Sequence, residues 1–265
     1  MVILALDTTV REGSVAILCD GKLAGLYVGD PSQTHGERLP GDVSSALDIA
    51  GMSLEDIELY AVAVGPGSFT GLRVGIATIQ ALALVHQRSI VQVSTLAAFA
   101  YGVSNLLEAV AKKEQLVGVW MDGQRGEVFS VLYKISKNAR STGVECLEKT
   151  VVTPPNLELL EEHAVGQPED IATRWATTFG LNKIRLTGNG AQRYLNTWES
   201  TGITPEIIPE AASLAPAIGQ LARQAGYEAI VSPHAIHPLY IRKPDVEIKS
   251  GKAKKKGRTV RRGKY

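Results

Sequence analysis

Little in this 265-residue chain is extreme, and each scarcity removes a class of function. There are two cysteines, Cys19 and Cys146, far apart and in no CxxC pair, so neither a disulfide framework nor a cysteine zinc site is expected. A reducing, cytosolic compartment is the matching expectation. Aromatic residues make up 6% of the chain, too few for a platform that stacks single-stranded nucleic acid. The five histidines, His35, His86, His163, His234 and His237, contain no i, i+4 pair of the kind that sets two imidazoles on one helix face, so no metal site is expected. Long apolar runs are missing as well. The longest uncharged stretch, 89–107, carries Gln92, Ser94, Thr95, Ser104 and Asn105, which suits a strand plus a helix rather than a span of ~20 apolar residues. The opening Val2-Ile3-Leu4-Ala5-Leu6 is cut by Asp7 and has no basic flank, so neither export nor membrane insertion is expected.

What is present is an ordinary globular composition, 45% hydrophobic and 21% charged, long enough for one large domain or two lobes. The net charge of +1 hides an asymmetry. Lys249 to Tyr265 holds nine Lys or Arg residues and no acid; of 28 basic residues, 19 then face 27 acidic ones, leaving a body near −8. This tail is read as a solvated end, as a clamp for nucleic-acid phosphates through Lys254, Lys255, Lys256, Arg258, Arg261 and Arg262, or as a contact with an acidic partner.

Periodicity and turn chemistry place the elements. Val2–Leu6 reads as a strand, and Val15–Leu18 and Leu23–Val28 flank Asp20-Gly21, a type I′ hairpin signal. Thr34 and Glu37 have capping-box spacing ahead of the stripe Leu39, Val43 and Leu47, although Pro40 allows a later helix start. Strands are expected at Leu59–Val64, Ile90–Val93, Val117–Met121, Val128–Ile135, Glu145–Val152 and Ile184–Thr187. Helices are expected from about Leu72 to His86, after Ser94, near Asn156–Glu162, over Ala191–Glu199 and over Ser213–Ala225. The Leu72–His86 helix is apolar nearly all round, so it must be covered on two sides. No 20–50-residue repeat is legible, yet two strand-rich halves suggest a degenerate duplication. The expected organisation is a lobe over 1–110 completed by a helix in 211–228, a smaller lobe over 111–210, a closing segment 229–248, and the basic tail 249–265.

Two glycine-rich turns carry the chemistry. Gly65-Pro66-Gly67-Ser68-Phe69-Thr70-Gly71 leads from a strand into a helix and has the look of an anion cradle, but Leu72-Arg73 stands where a Walker loop needs Lys and Ser or Thr. Gly188-Asn189-Gly190 repeats the pattern further on. Asp7-Thr8-Thr9 ends the first strand as the first phosphate loop of actin-like ATPases does, although the usual glycine is missing. Residual nucleotide contact and a merely structural Asp are both open. Ser68 is in no Gly-x-Ser-x-Gly elbow, and Asp122 with Glu127 reads as solvated turn carboxylates rather than a glycosidase pair.

The run Gly65-Pro-Gly-Ser-Phe-Thr-Gly-Leu-Arg-Val-Gly75 after Asp7-Thr8-Thr9 resembles the TsaB (YeaZ) family. So do His35-Gly36-Glu37-Arg38-Leu39, Val93-Ser94-Thr95-Leu96, Asp122–Phe129, Gly188-Asn189-Gly190 and Pro238–Arg242. The resemblance is specific over residues 1–110 and looser beyond. It implies a two-lobed actin-like ATPase (ribonuclease H-like) α/β fold with a degenerate cleft. It also implies the dimerisation subunit of the bacterial machinery that makes threonylcarbamoyladenosine in tRNA. The implied partners are the catalytic paralogue TsaD, the ATPase TsaE, a homodimer that competes with the heterodimer, and tRNA through the complex. TsaC supplies the threonylcarbamoyl-adenylate. In the paralogue a His-x-x-x-His pair opens the helix after the fifth strand; here Thr95 and Phe99 stand at those places, so no catalytic residue is expected. No intrinsic cofactor is implied beyond weak ATP or ADP at the partner interface, with Asp7, Thr8, Thr9, Gly188, Asn189 and Gly190 as vestigial contacts. The expected interface comprises His35, Leu39, Val43, Leu47, Gly71, Leu72, Val74, Gly75, Ile76 and Ile79, with Gly71 and Gly75 admitting a second helix. The rival readings are an independent actin-like enzyme, either a sugar kinase or a metallopeptidase, and a direct tRNA-binding module.

Overall fold

The computed structural model describes residues 1–108, 115–135, 151–152, 157–179, 184–225 and 229–242. Cys146, the strand expected over 145–150 and everything past Arg242, including Lys254, Lys255, Lys256, Arg258, Arg261 and Arg262, lie outside those residues.

The first sheet begins as a meander of β1 (Val2–Asp7), β2 (Ser14–Cys19) and β3 (Lys22–Val28). Asp20 and Gly21 both take positive φ, 51° and 79°, as the I′ turn requires. β4 (Leu59–Gly65) and β5 (Ser89–Ser94) add in parallel on the other side of β1. The second sheet uses β6 (Gln115–Asp122), β7 (Val128–Ile135) and β9 (Leu157–Gly166) as its meander, with β10 (Ile184–Thr187) and β11 (Glu206–Ile207) in parallel beyond β6. The order β5-β4-β1-β2-β3 is thus repeated as β11-β10-β6-β7-β9. The duplication that the sequence only suggests is a repeat of topology: two lobes of the actin-like, ribonuclease H-like plan.

Four helices cover the first sheet, two on each face. α1 (His35–Ala50) and α2 (Phe69–Val85) press Leu39, Val43, Leu47, Ile76 and Ile79 onto Leu4, Leu6, Ile17, Tyr60 and Val62. On the opposite face lie α3 (Thr95–Glu108) and α6 (Ala215–Gln224), whose Leu96, Ala100, Ile218 and Leu221 share one core with Ile3, Ala5 and Val91 and with Val117, Val119, Val131 and Tyr133 of the second sheet. α3 is therefore buried between the lobes, which explains its almost uncharged sequence. Two short strands close the first sheet at β5: β12 (Ile230–Val231) and β8 (Val151–Val152). In the second lobe Trp120, Trp175 and Trp198 form one cluster, with ring centroids 5.3–6.4 Å apart, beneath α4 (Pro168–Phe179).

α1 starts at His35, as the Thr34–Glu37 spacing predicts, and not near Pro40: Thr34 N–H and its hydroxyl both donate to Glu37 Oε2, at 3.0 and 2.7 Å, and this cap outweighs the proline within the helix. Other expectations change. The segment expected as a helix near Asn156–Glu162 is strand β9 from Leu157 onward, because pairing with β7 overrides its leucine- and glutamate-rich helix propensity. The helix comes afterwards as α4, with Glu169 and Asp170 in its first turn and Ile171 and Trp175 facing the core. Only Asn189–Arg193 of the expected Ala191–Glu199 region is α-helical (α5); Leu195–Thr201 tightens to a 3-10 helix.

Candidate functional site

At the end of β1, Asp7 is buried, and its Oδ1 accepts from the Thr9 N–H at 2.8 Å and the Thr9 hydroxyl at 2.6 Å. Its Oδ2 has no hydrogen-bond partner. Burial, only partly offset by the Thr9 bonds, pushes the carboxyl up to about 6. The second lobe repeats the aspartate cap. Asp122 at the end of β6 accepts from the Gln124 N–H at 2.9 Å, but there Arg193 Nη1 and the Tyr194 hydroxyl also donate to it, at 2.6 and 3.2 Å. Glu127 is paired with Arg242. Both turn carboxylates are thus held by cations.

The glycine-rich turn is a packing device. A Cβ on Gly71 would stand 2.1 Å from the Thr8 carbonyl oxygen, and one on Gly75 2.2 Å from the Thr8 hydroxyl. The Ser68 N–H donates to the Thr9 carbonyl at 3.0 Å. The turn that looks like an anion cradle is therefore filled by Asp7-Thr8-Thr9 itself. Gly71 and Gly75 admit this loop, not a second helix. Gly188 and Gly190 likewise face the Trp120 carbonyl, and Asn189 Oδ1 accepts from the Asp122 N–H at 2.8 Å.

Between the lobes lies a cleft of about 310 Å³. Of the six residues expected to touch nucleotide, Asp7 and Asn189 line it; Thr8, Thr9, Gly188 and Gly190 do not. The other lining includes Glu12, Glu210 and Phe99. Sequence reading missed Glu12 and Glu210, which sit in unremarkable loops with no spacing signal. Phe99, at the place where the resemblance puts a histidine of the paralogue, forms part of an apolar wall, and Thr95 beside it is fully buried.

The expected interface residues divide. Leu39, Val43, Leu47, Gly71, Leu72, Gly75, Ile76 and Ile79 are buried in the chain's own core, and Val74 is half-buried. Turning one such aliphatic side chain outward forfeits about 2 kcal/mol of burial, so the outer face of α2 is made of other residues. It carries Phe69, Arg73, Ala77, Ala81, Leu84 and Val85, all exposed. Arg73 stacks 3.9 Å from the Phe69 ring centroid and donates to the Tyr240 hydroxyl at 3.2 Å. His35 is half-buried. Its Nε2–H donates to the Val10 carbonyl at 3.0 Å while Nδ1 accepts from Arg38 at 3.0 Å; burial and the Arg38 charge hold its pKa below the usual range. Arg38 is itself consumed by Asp42 and by backbone carbonyls, among them that of Glu12. Elsewhere, Ser94 and His163 meet at 2.8 Å between the lobes, and burial lowers His163 to about 4. Among the described residues no cluster of His, Cys, Asp or Glu could hold a metal ion, and no helix is long and apolar enough to cross a membrane.

Comparison with known proteins agrees with this architecture. The "tRNA threonylcarbamoyladenosine biosynthesis protein TsaB" of Escherichia coli is 29% identical over 246 residues, covering 91% of this chain and 95% of that protein. The protein of the same name from Bacillus subtilis is 25% identical over 249 residues, covering 94% and 97%. The solved structure of YeaZ from Pseudomonas aeruginosa superposes with a TM-score of 0.65 at 27% identity, covering 90% of this chain and 100% of that one. The family described as "TsaD: tRNA N6-adenosine threonylcarbamoyltransferase" matches residues 29–249. With the repeated topology, the filled phosphate turn and these matches together, the chain belongs to the TsaD family, among its TsaB (YeaZ) members.

Proposed function

We propose that this chain is a non-catalytic scaffold and activator. It would bind the metal-dependent paralogue that transfers threonylcarbamoyl to the N6 amine of the anticodon-adjacent adenosine of tRNA. The observation that carries the reading is α2. Its inner face already fills one side of the first sheet, yet its outer face still presents Phe69, Leu84 and Val85, which are 49%, 47% and 75% exposed. Apolar surface in a continuous strip marks association. The outer face of α2 would meet the paralogue, and a second copy of this chain would compete for the same strip. An ATPase of the TsaE type would join the assembled complex. Among the described residues the cleft lining offers no basic residue to a phosphate, so weak ATP or ADP binding at the interface would depend on cations from the partner.

The test is to mix the chain with its host's catalytic paralogue and follow complex formation by sedimentation and modification by activity. Ala81→Arg and Leu84→Arg place a charge on the outer strip and are expected to abolish both readouts while the monomer stays folded. Ile76→Arg, by contrast, buries its charge in the monomer and is expected to unfold it. If both outer variants still bind and activate the paralogue, the interface lies elsewhere and the scaffold reading through α2 fails.

A further inference from the structure

Three carboxylates line the interlobe cleft: Asp7 from the end of β1, Glu12 from the β1–β2 loop, and Glu210 from the segment before α6. Among the described residues, no lysine, arginine or histidine lines it. Asp7 is 1% exposed, and among the described residues its Oδ2 lacks a partner, as does the neighbouring Thr8 hydroxyl, while its Oδ1 is held by Thr9. A buried, unpartnered carboxylate is costly, and it is kept where a ligand offsets the cost. A free nucleotide is the wrong ligand, since its phosphates would meet three like charges and no donor cation. A compact metal ion is also a poor match, because among the described residues no three such groups converge at metal-ligand spacing. Separated negative points joined by an apolar wall, Phe99 and Leu214, fit a cation that is itself extended, with charges set along a hydrocarbon chain. The volume, about 310 Å³, is at the lower end for small-molecule sites.

We propose that the cleft binds an aliphatic polyamine, with one ammonium on Asp7, a second on the Glu12 and Glu210 side, and the methylenes against Phe99 and Leu214. No covalent step is involved. The assignment is independent of the partner reading, because the outer strip of α2 contributes nothing to the cleft.

Calorimetric titration of the full chain with spermidine, in low salt at pH 7.5, tests it. One site per chain is expected. Lowering the pH to 5.5 is expected to weaken binding, since Asp7, raised to about 6, then becomes protonated. The amine, with a pKa near ~10, stays charged throughout. Asp7→Asn, which keeps the Thr9 contacts, is expected to weaken binding about tenfold, the worth of one charged hydrogen bond. Should that variant not fold, Glu210→Gln, exposed at the rim, serves instead, with a loss of about threefold. Equimolar Mg²⁺ is expected to leave spermidine in place. The proposal is overturned by no heat of binding at millimolar spermidine, by several weak sites unaffected by both substitutions, or by stoichiometric displacement by Mg²⁺.

Discussion

The two lobes end their first strands on the same aspartate cap and put it to different ends. Asp7 and Asp122 each cap the backbone N–H two residues on, at 2.8 and 2.9 Å. Asp122 then gains Arg193 and Tyr194 and lies at a partly open hairpin. Asp7 gains Thr9 alone, and the Thr8-Thr9 side of its turn is covered by the glycine-rich entry to α2. The same aspartate cap therefore yields one satisfied carboxylate and, among the described residues, one with an oxygen held in reserve. The difference lies in what packs above each turn, a surface helix with an arginine in the second lobe and a glycine-lined helix in the first. Where a duplicated fold loses its symmetry, the unsatisfied copy is the one to examine for a ligand.

The strongest way to break the comparison is to lift the helix off the first turn. Gly71→Val would drive a Cβ into the Thr8 carbonyl, 2.1 Å away and part of the backbone, so neither side can yield easily. A loss of about 3 kcal/mol is expected in urea unfolding. A loss near zero would mean that the turn is not sealed by α2.

Titration sharpens the contrast next. Asp7 is raised from 3.8 to about 6, so its contribution to stability is fully present below pH 4 and is lost as pH rises through 6. His163 is lowered from 6.5 to about 4, so its contribution is present above pH 6.5 and is lost as pH falls toward 4. The two oppose each other across the same window. His163→Gln, which can still bond Ser94, is expected to gain about 2 kcal/mol on wild type between pH 7 and pH 4.5. Urea curves at the two pH values decide it, and an equal difference at both would show that His163 titrates in the folded state as it does in the unfolded chain.

The smallest effect is the most direct comparison. At pH 7.5, Asp7→Asn removes a buried charge and is expected to stabilise by about 1 kcal/mol, the relief being cut by the amide's own need for partners. Asp122→Asn removes a pair to a largely exposed arginine and is expected to destabilise by less than about 1 kcal/mol. Thermal unfolding of both variants should show opposite signs; the same sign in both would make the two turns equivalent after all.

Much of this was legible in local pattern. The Asp20-Gly21 hairpin, the Thr34–Glu37 cap, the buried strands and the over-apolar second helix all follow from interactions within a few residues of the chain, where propensity and spacing act directly. Residues 65–75, with Asp7-Thr8-Thr9, were enough to indicate the family and the two-lobed fold. Tertiary structure alone decided the rest. β9 is a strand because β7 lies beside it, not because Leu157–Glu162 prefers extension. Gly71 and Gly75 carry no side chain because Thr8, more than sixty residues earlier, occupies the space, while the same spacing could equally have admitted a partner helix. Leu39, Val43 and Ile76 point inward and Ala81 and Leu84 outward, a choice that an evenly apolar helix leaves unstated. The acidic cleft gathers Asp7, Glu12 and Glu210 from segments some two hundred residues apart, and only the packing of α6 onto β1 and β2, where the Ala215 N–H donates to Ser14 Oγ, gives their charges a common address.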